Sequence, residues 1–214
     1  MVLRRLGFEL RVMGELPASG LIASNHLSYL DILFFGASVP CVFVSKIEVR
    51  RWPLLGLLAA LGGTVFIDRQ SAVSAAEAAR RIEDLLKAGV LVLVFPEGTS
   101  SDGSSVLRFY ASLFEPAVLV GAQVTAATIE YSAGGGATER DLCYYGDISF
   151  APHLIETLQL PQIIATLRLG SPGQAYGDRK QAARLTRETV VGLRGHAGGG
   201  SEPTSTGGHA GVDN

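Results

Sequence analysis

Short apolar runs recur along this chain, and the polar residues that end each run carry as much information as the runs. Gly20-Leu21-Ile22-Ala23 has the length and composition of a buried strand. It breaks into Ser24-Asn25-His26 and resumes as an apolar, helix-like segment near Leu30. Cys41 to Val44 is a second run, ending in Ser45-Lys46. Thr64 to Ile67 is a third, delivering Asp68-Arg69 to its carboxyl end. Val90 to Phe95 is unbroken and rich in β-branched residues, the pattern of a central parallel strand covered on both faces. It ends in the polar loop Pro96-Glu97-Gly98-Thr99-Ser100-Ser101. Weaker strand signals fall at Phe8–Val12, Val124–Tyr131, Leu142–Tyr145 and Ile163–Leu169, and a glycine-rich turn spans Ser132–Ala137.

Helical spacing predicts segments at Ile32–Ala37, Trp52–Leu61, Ser112–Val120, Ser149–Leu158 and Asp178–Leu193. The clearest helix opens on Ser74-Ala75-Ala76-Glu77, which reads as a capping box. Its apolar positions Ala75, Ala78, Ala79, Ile82, Leu85 and Leu86 share one face. Lys87 and Gly89 close it. Strands alternating with helices predict an α/β fold, a single domain over residues 1–194 with a largely parallel or mixed sheet flanked by helices. From residue 195 to 214 Gly, Ser, Thr and Pro dominate and no apolar pattern remains, which predicts a disordered tail.

Composition narrows the function classes. A chain of 214 residues suits one domain with a substantial core. Its formal net charge of −2 argues against a nucleic-acid binder. Hydrophobic content of 47% and a mean hydropathy of +0.29 are high for an ordinary soluble domain. Cys41 and Cys143 are isolated from each other and from histidines, so a reducing compartment is expected, with neither a disulfide scaffold nor a metal site. Met1-Val2-Leu3-Arg4-Arg5 lacks the features of a signal peptide. Trp52 to Ile67 carries no charge but is too short for a confident membrane span. It has two readings: a core helix followed by a core strand, or an interfacial segment whose Arg50-Arg51-Trp52 end suits a lipid headgroup region.

His26 and Asp31 are the first candidates for chemistry. On a continuous helix an offset of five residues would separate them by roughly 140°. They face each other only if His26 lies in the loop and Asp31 in the helix's first turn. Ser28 as N-cap would put Asp31 at the acidic position of a capping box. The bland reading stops there, with a capping carboxylate and a satisfied loop imidazole. The functional reading is a dyad in which Asp31 orients the ring and stabilises imidazolium, freeing the other nitrogen to accept a proton. The chain has no Gly-x-Ser-x-Gly, so such a base would activate a substrate hydroxyl.

Asn25-His26-x4-Asp31, then Gly63-Thr64-Val65-Phe66-Ile67-Asp68-Arg69, then Phe95-Pro96-Glu97-Gly98-Thr99, occur in the order and spacing of glycerolipid acyltransferases. From about residue 8 to 194 the chain resembles the 1-acylglycerol-3-phosphate acyltransferase family. The resemblance implies transfer of a fatty acyl group from acyl-CoA or acyl-carrier protein to a lysophospholipid hydroxyl, with no metal or cofactor. His26 would be the general base and Asp31 its partner. Lys46, Arg69, Glu97, Gly98, Thr99 and Arg108 are the implied substrate-binding residues, Arg69 toward a phosphate. The implied acceptor is 1-acylglycerol-3-phosphate. Ser100, standing where the family usually has arginine, keeps a lyso-aminolipid open as the alternative, and so does a non-catalytic lipid-binding role. Arg108-Phe109-Tyr110 and Val124-Thr125-Ala126-Ala127 also depart from the family's blocks. The expected location is peripheral, on the cytoplasmic side of the membrane, with lipid reached through the chain's own apolar surface.

Overall fold

A computed structural model describes residues 7–51, 56, 63–68, 70–170 and 172–195. The predicted helix Trp52–Leu61, the substrate-binding candidate Arg69 and the tail beyond 195 lie outside the described residues.

The strands are β1 (Phe8–Met13), β2 (Gly20–Ser24), β3 (Val42–Lys46), β4 (Val65–Ile67), β5 (Leu91–Val94), β6 (Val124–Ala133) and β7 (Ile163–Leu169). They form one sheet in the order β1-β7-β6-β2-β5-β3-β4. Each neighbouring pair is parallel except β6–β7, so the sheet is mixed. The carboxyl ends of β2, β5, β3 and β4 therefore open on one edge, and the three polar breaks of the sequence gather there.

Both faces of the sheet are covered. Along β2 and β5 alternate residues point to opposite sides. Ile22, Leu91 and Leu93 pack with α1 (Leu30–Ser38) and α5 (Phe150–Gln159), while Leu21, Ala23, Val92 and Val94 face α2 (Ala72–Lys87), α3 (Glu115–Leu119) and α6 (Arg179–Gly195). This double burial is why β2 and β5 read as continuous apolar runs. Gly20 opens β2 at φ +98°, with the carbonyl oxygen of Gln123 only 2.6 Å from where a β-carbon would sit. Glycine there lets β2 start flush against β6.

Several local expectations are corrected. α1 begins at Leu30 with Tyr29, not Ser28, as N-cap. α2 starts three residues before the expected box, because the Ser71 side chain caps it by accepting from the Ser74 N–H. Ser112–Val120 is not one helix: a short 3-10 turn, Ala111–Leu113, precedes α3, with Pro116 in that helix's first turn. Leu142–Tyr145 is not a strand. Leu142 ends a one-turn helix α4 (Glu139–Leu142); it and Cys143 are buried, and Tyr144 and Tyr145 are half-buried. The strand β6 continues through Ala133, into the segment expected to turn.

Candidate active site

The loop from β2 to α1 places His26 and Asp31 together. Asp31 is fully buried, and its Oδ2 lies 2.7 Å from Nδ1 of His26. The same oxygen accepts the N–H of Leu27 at 2.7 Å and of Ser28 at 3.1 Å. Half of the expected capping box thus survives, since the carboxylate reaches back to Ser28. The other half is absent: the Asp31 N–H donates to the Ser28 carbonyl oxygen, and the Ser28 hydroxyl is buried without a partner among the described residues. The second carboxylate oxygen, Oδ1, accepts from the hydroxyl of Tyr131 on β6. Four donors offset the cost of burying this charge.

His26 is held at one ring face, at Nδ1 and along its backbone. Its ring stacks on Phe95, with centroids 4.2 Å apart and planes 15° from parallel. Its N–H reaches Oε1 of Glu97 at 3.4 Å, and its carbonyl accepts the Ser101 N–H at 2.9 Å. With Nδ1 committed to Asp31, Nε2 is the nitrogen left for a substrate. Asn25, beside it, is structural. Its side chain bonds the backbone N–H and carbonyl of Ile129 and the Thr128 hydroxyl, tying the end of β2 to β6.

The loop after β5 supplies the third block. Phe95 to Gly98 is a tight turn, closed by the Gly98 N–H on the Phe95 carbonyl at 3.0 Å. Gly98 sits at φ +72°, a region costly for residues with a side chain. Glu97 points inward, toward the protein interior. It is 3% exposed, and burial, the first cause, pushes its pKa up to about 7, although the backbone N–H groups of His26 and Leu107 pull the other way. Its Oε2 has no partner among the described residues.

A cavity of about 550 Å³ opens beside His26. Ile32, Leu33, Val39, Phe43 and Val44 give it an apolar wall. Lys46 and Ser45 stand at the end of β3, and Gly98, Thr99 and Ser100 line the side near His26. Lys46 is exposed, and it is the lysine or arginine that lines the cavity among the described residues. Arg108 is exposed and does not line the cavity, and neither does Glu97. The Ser100 hydroxyl donates to the Tyr144 carbonyl, while the Tyr144 N–H donates to the Leu27 carbonyl at 2.8 Å. The buried segment that resembled a strand is thus a clamp between two loops of the site.

Burial raises the pKa of Cys41 to about 11 and of Cys143 to about 12, so neither is a ready thiolate nucleophile near neutral pH. Tyr131 and the 143–145 clamp escaped the sequence reading. Both lie 100 or more residues from the dyad, and no local spacing links them to it.

The Acyltransferase family model matches residues 10–131. The lyso-ornithine lipid O-acyltransferase of Pseudomonas aeruginosa is 36% identical over 187 residues, covering 86% of this chain and 72% of that protein. The 1-acyl-sn-glycerol-3-phosphate acyltransferase of Neisseria gonorrhoeae is 39% identical over 127 residues, 59% of this chain and 50% of that one. The crystal structure of the 1-acyl-sn-glycerophosphate acyltransferase PlsC from Thermotoga maritima shares the fold, with a TM-score of 0.68 at 22% identity over 94% of this chain and 77% of that one. The matched segment carries all three motif blocks, from within β1 to Tyr131, and the chain belongs to the acyltransferase family.

Proposed function

We propose that this acyltransferase moves a fatty acyl group from a thioester, acyl-CoA or acyl-carrier protein, to the free hydroxyl of a lyso-lipid, with His26 as general base. The observation that carries the reading is the Asp31–His26 pair, held by its Nδ1 face at the mouth of an apolar cavity. Nε2 of His26 takes the hydroxyl proton as the oxygen attacks the thioester carbonyl. The tetrahedral intermediate collapses, the carbon–sulfur bond breaks, and the imidazolium returns the proton to the departing thiolate. The products are an ester and a free thiol. Thr99, beside His26 on the cavity wall, is the candidate donor to the oxyanion. Asp31 stabilises the imidazolium between the two proton transfers.

For the acceptor, the order reached from sequence is reversed, and a lyso-aminolipid precedes 1-acylglycerol-3-phosphate. A phosphomonoester asks for clustered cations. Lys46 alone supplies one from the described cavity wall, and Ser100 spends its hydroxyl on Tyr144. The lyso-ornithine lipid relative from Pseudomonas aeruginosa is matched over 86% of this chain, whereas the Neisseria glycerophosphate relative is matched over 59% of it. Lysophosphatidate stays as the second reading because Arg69 follows β4, whose end lies on the same sheet edge. Among the described residues no helix is long and apolar enough to cross a membrane. We place the enzyme peripherally on the cytoplasmic face, where both substrates meet. The test is incubation of purified protein with labelled acyl-CoA and acyl-carrier protein against lyso-ornithine lipid, lysophosphatidate and no acceptor. Transfer to lysophosphatidate alone would overturn the acceptor assignment, and acyl release independent of acceptor would mark a hydrolase.

A further inference from the structure

Tyr131 lies on β6, 100 residues from Asp31, with its ring against Phe34 in the core at a centroid distance of 5.8 Å. Its hydroxyl donates to Oδ1 of Asp31. The other carboxylate oxygen already has three donors: His26 Nδ1, the Leu27 N–H and the Ser28 N–H. Among the described residues Tyr131 is the one donor that Oδ1 has. A buried carboxylate pinned at one oxygen can still tilt about its Cβ–Cγ bond, and a donor at the second oxygen removes that freedom. Burial, with Asp31 beside it, holds the phenol protonated, its pKa well above the usual 10. Tyr131 therefore gives a hydrogen bond to Asp31 and takes no proton from it.

We propose that Tyr131 is a positioning residue for acyl transfer, fixing the Asp31 carboxylate so that Oδ2 faces His26 and keeping the pair from holding its proton too tightly. The inference rests on the assignment of His26 as base. The O–H dipole points its positive end at the dyad, so it opposes proton uptake there. Without it, the state with neutral imidazole and bare carboxylate loses more than the ion-paired state, and the dyad binds its proton more firmly. The other ionisable groups coupled to this cluster are Glu97 on the β5 loop, Cys143 on the clamp, Glu139 on α4 and Arg194 at the end of α6. All are unchanged in Tyr131→Phe, which also keeps the ring against Phe34.

The full chain carrying Tyr131→Phe is assayed with a thioester donor and a lyso-lipid acceptor from about pH 5 to pH 9, spanning the range where histidine titrates. In parallel, the His26 ring is titrated by carbon-13 NMR, its signal assigned by its loss in His26→Ala. The expected result is a kcat lowered roughly tenfold, with both KM values within about twofold, as befits a group acting only on the reacting geometry. The acid limb of the rate profile and the His26 titration should both move up by about half to one unit. A lower melting temperature with neither titration moved would make Tyr131 merely structural and overturn the proposal. So would wild-type kinetics in Tyr131→Phe while His26→Ala is inactive, an outcome that leaves the base assignment standing. An active His26→Ala would instead remove the base assignment and this inference with it. If Tyr131→Phe fails to fold, 3-fluorotyrosine placed at position 131 alone supplies a more acidic donor. It should move the His26 titration down, and an unmoved titration overturns the proposal.

Discussion

The imidazole of His26 lies flat on the ring of Phe95, 4.2 Å between centroids, so the first residue of the turn after β5 sets the plane of the base on the neighbouring strand's loop. Phe95 in turn meets Phe35 of α1 edge-on, at 6.1 Å. Phe95→Leu should cost about 1–2 kcal/mol in stability from lost packing. It should also lower kcat roughly tenfold as the ring loses its fixed plane. Thermal melts and steady-state rates on one preparation separate the two effects.

Removing the base has a larger effect. His26→Ala should lower turnover by at least ~10²-fold while the chain stays folded. Asp31→Asn should match it in rate and additionally destabilise by about 1–3 kcal/mol, because the amide turns an N–H toward donors that need an acceptor. Retention of near-full activity by folded His26→Ala would end the dyad mechanism.

Glu97 gives a pH dependence to stability. Its folded pKa of about 7 exceeds the ordinary 4.5, so between these values the folded chain keeps a proton that the unfolded chain has released. Its contribution is complete below about pH 4.5 and is lost as the pH rises through 7, at most about 3 kcal/mol in all. Glu97→Gln keeps the acceptor for the His26 N–H and drops the charge. Denaturant midpoints should then flatten across this window, and the variant should be the more stable chain, by about 1–2 kcal/mol, above pH 7. An unchanged slope would show that Glu97 does not hold its proton.

The acceptor contacts separate in kinetics. Lys46→Ala and Arg69→Ala should each raise the acceptor KM by roughly ten- to a hundredfold, the scale of a lost charge-assisted contact, with little change for the donor. Ser100→Arg should shift the ratio of kcat/KM values toward lysophosphatidate. It also removes the hydroxyl that holds the Tyr144 carbonyl, so its melting temperature is the necessary control. Equal loss on both acceptors through kcat alone would make Arg69 structural.

Membrane contact is tested at the end of β3. The Arg50 guanidinium lies over the Phe66 ring, 5.9 Å from its centroid, next to the uncharged stretch that follows. Replacing Arg50 and Arg51 with glutamate and Trp52 with serine should weaken co-sedimentation with anionic vesicles. Unchanged binding by the folded triple variant would return that stretch to the core.

The site divides into parts that are local in sequence and parts that are not. His26 and Asp31 were legible because a strand-ending loop and a first helical turn fix their relation within six residues. The gathering of the blocks at one edge depends on the strand order, which periodicity does not give. Ser74 read as the cap because Glu77 stands three residues on, yet the hydroxyl that accepts is that of Ser71, from the Ser74 N–H. Leu142 and Cys143 looked like a strand because burial, not strand pairing, selected their side chains. Tyr131 shows the limit most plainly. Its place beside Asp31 depends on the register of β6 on β2, which pairs Leu21 with Val124 and carries β6 beyond the end of β2.

That β1 pairs with β7 has a consequence for how the protein is made. Phe8 finds its partner Ile163 155 positions later. At a synthesis rate of about 5–20 residues per second, the first strand leaves the ribosome roughly 8–30 s before the strand that pairs with it exists. Through that interval its backbone donors and acceptors are open to any other extended chain. Newly made polypeptide is thus most vulnerable to misassociation at its leading strand, and a chaperone that shields β1 would protect the nascent enzyme until β7 emerges.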